Sequence, residues 1–395
     1  MFATSVVVLV AIVVYCLVCY SSAEGDGSFN DALQYYGRYL YNASSNRLEA
    51  NWPNSGFKFI VLQESHDHDN IQVDILFVTY ADSHYYINAY LNCEFYSKYL
   101  ISSNQSMVSL QLLSNTSKAI HHFDFRKVTE ASYSNAKGML SLEYINVANG
   151  RIISEEMAVG LLGQPPHYNN NKKCRVHNKH KMLVVGDSLT AAYGVDGNNP
   201  CVFDASLEDV THGYAYIVAN ELQADLHTIA WSGKGVVRNY GDINQLSVDP
   251  MPVYYNRTIA TVAVTTNGSD FPGNYWNPSL FPADIVIVML GSNDYSTTPY
   301  PNDKDFIEGL VMLIDRIKID YPDAINHIAL MCAAHNNGNQ CMNIEEATKK
   351  TRTKFISIDP DVYDGGYGCD LHPNALTQQY MADIVAPLIE AMLLQ

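Results

Sequence analysis

Near residue 165 the chain changes its hydrophobic rhythm, and that change limits the folds open to it. Before it lie short runs rich in β-branched and aromatic residues: Phe57 to Leu62, Val73 to Val78, Tyr85 to Leu91 and His121 to Val128. Ser, Asn, Asp and Gly punctuate them, which predicts a β-sandwich or jelly roll over 29–165. Gln164 to Lys173 is polar and carries two prolines, so it reads as a linker. Beyond it, apolar runs at Met182–Val185, Leu226–Ala230, Ile285–Leu290, Ile328–Met331 and Phe355–Ile358 alternate with helical stretches. The clearest helix is Asp305 to Asp320, with a stripe at Ile307, Leu310, Val311, Ile314 and Ile317. Helix is also expected over His212 to Leu222 and after Asn374. This alternation predicts an α/β domain over 178–395, a parallel sheet covered on both faces.

Charge and cysteines narrow the setting. A formal net charge of -17 excludes nucleic acid and anionic membrane surfaces as partners, since both require clustered cations. Val6 to Tyr20 is almost wholly apolar and is followed by Ser21, Ser22 and Ala23. Residues 1–23 therefore read as a secretory signal peptide, with an uncleaved signal anchor as the alternative. The run is about 15 residues, short for a membrane span of roughly 20. Six cysteines follow the leader: Cys93, Cys174, Cys201, Cys332, Cys341 and Cys369. An even number after an export signal predicts disulfides, with the pairing left open. Glycosylation sequons at Asn42, Asn104, Asn115, Asn256 and Asn267 agree with secretion. The mature chain has no Cys-x-x-Cys pair and no zinc-type His/Cys spacing, so no metal or organic cofactor is expected.

Four short motifs carry the chemistry. Gly186-Asp187-Ser188-Leu189-Thr190 ends the first strand of the second half. Ligands bind beyond the carboxyl ends of strands in an open parallel sheet, so Ser188 meets substrate there. Asp187 is expected to hydrogen-bond nearby loops. Trp231-Ser232-Gly233 follows the second strand, where a glycine lets its N–H approach a carbonyl closely. Gly291-Ser292-Asn293-Asp294 follows the third, and the Asn293 amide can donate to an oxyanion. Asp370-Leu371-His372-Pro373 precedes the last helix and supplies an imidazole to activate the hydroxyl. Alone, each also reads as a turn. Together, each following a predicted strand, they bring a nucleophile, a base and oxyanion donors to one rim.

Ser188, Gly233, Asn293 and His372 resemble the four blocks of the SGNH (GDSL-type) hydrolases. The resemblance implies a three-layer, flavodoxin-like hydrolase domain. It also implies Ser188 as nucleophile, His372 as base, and an oxyanion hole of Ser188 N–H, Gly233 N–H and the Asn293 side chain. A narrower likeness rests on Val237-Arg238-Asn239-Tyr240-Gly241, Met251-Pro252, Tyr255-Asn256-Arg257-Thr258 and Gly368-Cys369-Asp370. With Tyr36-Gly37-Arg38, Trp52 and His122 to Glu130 in the first half, these resemble carbohydrate esterase family 2, which has an N-terminal jelly roll. That likeness implies a secreted esterase removing acetyl groups from carbohydrate such as acetylated xylan or mannan. A general GDSL-type esterase or lipase and an inactive carbohydrate-binding wall protein are the alternatives. Trp231 and Trp276 are candidate sugar-stacking residues.

One position departs from the SGNH pattern. The triad Asp of most such enzymes lies three residues before the His, and here Cys369 stands there. The resemblance includes members that work as a Ser–His dyad with a backbone carbonyl orienting the imidazole, and a dyad is expected here. Asp370 as a third triad member is the alternative. Cys369 is expected to be half of a disulfide.

Overall fold

The computed structural model describes residues 32–394, apart from 43–44, 46, 65–69, 81, 104–106, 112–118, 134–135, 163–177, 263–273 and 334–337. The leader, the linker, Cys174 and the sequons at Asn104, Asn115 and Asn267 lie outside the described residues.

The first half forms two antiparallel sheets. One comprises β1 (Gln34–Tyr36), β4 (Gly56–Gln63), β6 (His84–Leu91), β7 (Glu94–Ser102) and β9 (Ile120–Lys127), in the order β1-β4-β9-β6-β7. The other comprises β2 (Leu40–Asn42), β3 (Arg47–Ala50), β5 (Gln72–Phe77), β8 (Met107–Gln111) and β12 (Leu140–Ala148), in the order β2-β3-β12-β5-β8. β10 (Ser132–Tyr133) and β11 (Ala136–Lys137) form a small hairpin, and β13 (Gly150–Ile153) pairs with β4. β5 shows why these segments are strands: Val73, Ile75 and Phe77 alternate inward while their neighbours face out. Phe57 and Phe59 of β4 face Phe125 and Phe123 of β9 at 5.3 Å in each pair, making an aromatic core. The stretch read as β throughout also holds a short helix, α1 (Glu155–Leu162), which buries only Ala158.

The second half is a five-stranded parallel sheet of β14 (His180–Gly186), β15 (Ala224–Ala230), β16 (Ile285–Met289), β17 (Ile328–Cys332) and β18 (Lys354–Ser357). Its order is β15-β14-β16-β17-β18, the doubly wound flavodoxin-like arrangement. β16 is buried at every position, as a sheet covered on both faces requires. The remaining helices are α2 (Ser188–Ala191), α3 (Tyr214–Leu222), α4 (Met251–Tyr255), α5 (Asp303–Asp320), α6 (Gln340–Thr351) and α7 (Ala375–Leu393). α5 and α6 help cover one face, and α3 and α7 help cover the other. Strand order reverses about β14, so the crevice at its carboxyl end is where such a sheet binds ligands. Among the described residues no helix is long and apolar enough to cross a membrane.

The two halves meet across a polar seam. Buried Arg38 donates to the carbonyls of Tyr255 and Arg257, and its guanidinium lies 5.1 Å from the Trp276 ring centre. Trp52 Nε1 donates to Arg257 O at 3.2 Å, and Asn54 Nδ2 donates to Leu226 O at 3.0 Å. Lys98 of β7 donates to Ser206 O and Glu208 O, both at 3.0 Å.

Candidate active site

Gly186 closes β14 where a Cβ would lie 2.1 Å from Thr190 Oγ1, so only glycine permits this strand-to-helix turn. Asp187 caps α2, accepting from Leu189 N at 3.1 Å. Ser188 is the first residue of α2, so its own N–H falls among the unpaired donors of a helix start. Underneath, Thr190 Oγ1 bonds the Tyr214 hydroxyl at 3.0 Å, and Gln378 Nε2 donates to Leu189 O at 3.0 Å. These bonds brace the turn from α3 and α7.

His372 arrives from the loop before α7. Its Nε2 lies 2.9 Å from Ser188 Oγ, and its Nδ1 lies 3.1 Å from the backbone carbonyl oxygen of Asp370. A carbonyl only accepts, so Nδ1 carries the proton and Nε2 is left to accept from the hydroxyl. The Asp370 carboxylate points elsewhere, accepting from Tyr193 OH at 2.9 Å and Phe203 N at 3.2 Å. In this structure Asp370 thus meets the imidazole through its backbone oxygen, while its carboxylate is bonded to Tyr193 and Phe203. Asp370 and Leu371 both adopt left-handed backbone, with φ of 50° and 60°. For a leucine this costs about 1–2 kcal/mol. A disulfide between Cys369 and Cys201 ties the loop down, and Asp370 N donates to Cys201 O at 3.1 Å. Cys332 pairs with Cys341, and Cys93 is also disulfide-bonded.

The other flank holds the donors. Gly233 sits at φ +78°, and neither its N–H nor that of Ser188 is bonded to a described atom. Asp294 fixes the loop behind Gly233 by accepting the N–H groups of Val236, Val237 and Arg238, each at 2.8 Å. The Asn293 amide donates to Asp187 Oδ2 at 3.2 Å and to Lys234 O at 3.0 Å, so both its protons are engaged in the resting structure. Burial pushes the Asp187 carboxyl up to about 7 and the Asp294 carboxyl up to about 6.

The two tryptophans separate. Trp231 is half-buried beside the Gly233 loop, edge-on to Tyr254 with ring centres 5.0 Å apart. Trp276 is 7% exposed, with Nε1 bonded to Tyr321 OH at 3.1 Å and Arg38 over its ring. It is packed in the seam and has no open face for a sugar.

Sequence reasoning missed three neighbours of the site. Tyr193 tilts against the His372 ring with centres 4.4 Å apart and stacks on Phe203 at 3.8 Å. Cys201 supplies the other half of the disulfide. Glu130, from the sandwich half, accepts Ser232 N–H at 2.7 Å. The even cysteine number hinted at Cys201, and Glu130 ends the stretch His122 to Glu130 that carries part of the likeness, with no partner or role readable from either.

The comparisons with known proteins agree with this fold. Residues 182–385 match the family model described as GDSL-like Lipase/Acylhydrolase. Among curated relatives, the cellulase/esterase CelE of Acetivibrio thermocellus is 26% identical over 291 residues, covering 71% of this chain and 31% of that protein. An acetylxylan esterase / glucomannan deacetylase of Cellvibrio japonicus is 24% identical over 224 residues, covering 52% of this chain and 58% of its own. The chain thus spans about a third of the first and little over half of the second. In fold it is similar to a family two carbohydrate esterase from Clostridium thermocellum solved with cellohexaose: TM-score 0.72, 22% identity, 91% of this chain and 99% of that one. It is similar also to a carbohydrate esterase family 2 enzyme with a carbohydrate-binding domain from Corynascus thermopiles (Myceliophthora fergusii): TM-score 0.70, 24% identity, 92% and 100% covered. With the family match running over more than half its length, the chain belongs to the GDSL-like lipase/acylhydrolase family.

Proposed function

We propose that this protein is a secreted carbohydrate O-acetylesterase working through a Ser188–His372 dyad. One observation carries the reading: a hydroxyl 2.9 Å from an imidazole nitrogen whose opposite nitrogen faces a carbonyl at 3.1 Å. Ser188 Oγ attacks the ester carbonyl carbon as His372 Nε2 takes its proton. The oxyanion forms against the N–H groups of Ser188 and Gly233. It also competes with the Lys234 carbonyl for an Asn293 proton, because a charged oxygen is the stronger acceptor. Collapse breaks the bond to the sugar oxygen, which leaves with the proton from His372. Water then attacks the acyl-serine, giving its proton to His372, and acetate leaves as Ser188 is reprotonated.

Carbohydrate as substrate is supported by the relatives, among them an acetylxylan esterase / glucomannan deacetylase and an esterase solved with cellohexaose. Secretion is supported by the disulfides among the described residues, which persist in oxidising compartments. The test is acetate release from acetylated xylan, acetylated glucomannan and an aryl acetate, with Ser188→Ala beside the wild type. Release by the wild type alone is the expected result. A folded wild type that releases none overturns the reading and favours a carbohydrate-binding protein.

One feature favours a second reading, a general esterase on the same scaffold. Tyr240 N bonds Gly233 O at 2.9 Å, and the segment it opens exposes Ile243 and Val248 almost fully, at 86% and 95%. Exposed apolar side chains on a segment that starts beside the Gly233 loop suit contact with a long acyl chain. A series of aryl esters separates the two: hydrolysis falling sharply beyond acetyl supports the sugar esterase, and a rise toward longer chains supports the general one.

A further inference from the structure

We propose that Glu130, a residue of the sandwich half, is a positioning residue for the oxyanion hole. The inference rests on the esterase reading above. Glu130 lies in the loop after β9 and is buried. Its Oε2 accepts the N–H of Ser232 at 2.7 Å, across 102 residues of sequence. Ser232 immediately precedes Gly233, whose N–H is the donor at stake. Lys234 N is held on Trp231 O at 3.3 Å, and Gly233 O accepts from Tyr240 N at 2.9 Å. The Gly233 N–H thus points out from between two pinned N–H groups. Packing adds little to that hold, because a Cβ on Gly233 would meet nothing nearer than Tyr240 Cβ at 3.9 Å. With φ at +78° and no side chain, Gly233 takes its orientation from the bonded peptide units on either side of it, the Ser232 N–H before and the Gly233 carbonyl and Lys234 N–H after.

Glu130 is itself anchored from both halves. Its N–H donates to Glu208 Oε2 at 3.1 Å, and its carbonyl accepts from Lys127 Nζ at 2.8 Å. Lys127 and Glu208 are fully buried. Burial raises the Glu130 carboxyl from its ordinary value, so the hold on Ser232 rests first on the acceptor oxygen and strengthens where the carboxyl is ionised. The sandwich half on this view completes the reaction centre in addition to any contact it makes with the polymer.

The test compares Glu130→Asp, Glu130→Gln and Glu130→Ala with wild type and Ser188→Ala on an aryl acetate, and measures inhibition by a boronic acid that mimics the tetrahedral intermediate. Glu130→Asp keeps the charge and withdraws the acceptor. Glu130→Gln keeps the acceptor and removes the charge. Losing the position of one donor predicts a kcat about 10- to 100-fold lower in the Asp and Ala variants, with KM within about threefold. Boronate inhibition weakens by a similar factor, because it reads the hole and not the ground state. The Gln variant recovers to within about fivefold of wild type. The Asp–Gln pair decides the matter if the Ala variant does not fold. The inference is overturned if the Asp variant matches wild type, or if Gln falls as far as Asp. If the wild type shows no Ser188-dependent hydrolysis, the esterase reading fails first and this inference falls with it.

Discussion

Ser188 has two flanks, and they are held in different ways. The base flank is built within one half of the chain from covalent and backbone devices: the Cys201–Cys369 disulfide, a left-handed pair at Asp370 and Leu371, and a carbonyl on Nδ1. The oxyanion flank is pinned by buried carboxylates, and one of them, Glu130, comes from the other half. The chemistry explains the contrast. An imidazole needs a single acceptor to fix its tautomer, and a neutral carbonyl suffices. Oxyanion donors are backbone N–H groups, so their loops must be fixed by acceptors strong enough to hold a peptide plane. Those acceptors are buried carboxyls, and where they ionise their charge opposes an oxyanion. Asp294 answers this by spending both oxygens on three N–H groups, and Asp187 by accepting from Leu189 and Asn293.

The largest effect expected is on the base flank. His372→Ala removes the proton acceptor, and kcat on an aryl acetate is expected to fall by about 10⁴ or more, equal to Ser188→Ala because the pair acts as a unit. A fall below a hundredfold breaks the dyad. On the oxyanion flank, Asn293→Ala is expected to lower kcat by about 10²–10³ with little change in KM. Its amide is bonded twice at rest, so a loss under tenfold means that the amide never turns to the intermediate and the N–H groups carry the charge alone.

Two of the disulfides offer a smaller and internal comparison. Cys201–Cys369 spans a sequence separation of 168, and Cys332–Cys341 only 9. Chain entropy assigns about 5 kcal/mol to the first and about 3 to the second. Replacing both cysteines of the long-range pair by serine is therefore expected to lower Tm further than the same change in the short one. It alone is expected to lower kcat, by roughly tenfold, because Cys369 heads the loop that carries the Asp370 carbonyl and His372. Equal kcat values in the two double variants mean that the loop holds its shape without the bond.

These flanks were not equally legible in the sequence. Ser188, Gly233 and Asn293 could be read because each is a polar or glycine residue just beyond an apolar run, and His372 because it precedes the last helix after the last strand, where a parallel sheet brings its strand ends together. The Asp370 carbonyl could be expected only through a resemblance, since a backbone oxygen has no residue type of its own. Glu130 and Cys201 could not be placed: their partners lie 102 and 168 residues away, and neither spacing has a period. α6 escaped for a related reason, for its buried face sets Gln340, Asn343, Thr348 and Thr351 beside only Ile344 and Ala347, which blurs the apolar stripe. Trp276 lies in the half that carries the site, yet its side chain turns into the seam toward Arg38.

The smallest effect discriminates most sharply between dyad and triad. In a triad the carboxylate orients the imidazole and stabilises its charged form, and changing it to the amide costs about 10⁴ in turnover. Here the Asp370 carboxylate bonds Tyr193 OH and Phe203 N, both of which asparagine's amide oxygen can still accept. Asparagine also tolerates the left-handed backbone at this position. The carbonyl that faces His372 Nδ1 belongs to the main chain and survives the substitution. Asp370→Asn is therefore expected to cost less than about tenfold in kcat, through a small loosening of Tyr193 against the imidazole ring. A loss near the triad value would mean that the loop rearranges during the reaction and brings the carboxylate to the imidazole. The base flank would then depend on a side-chain carboxyl as the oxyanion flank does, and the contrast between the two would disappear.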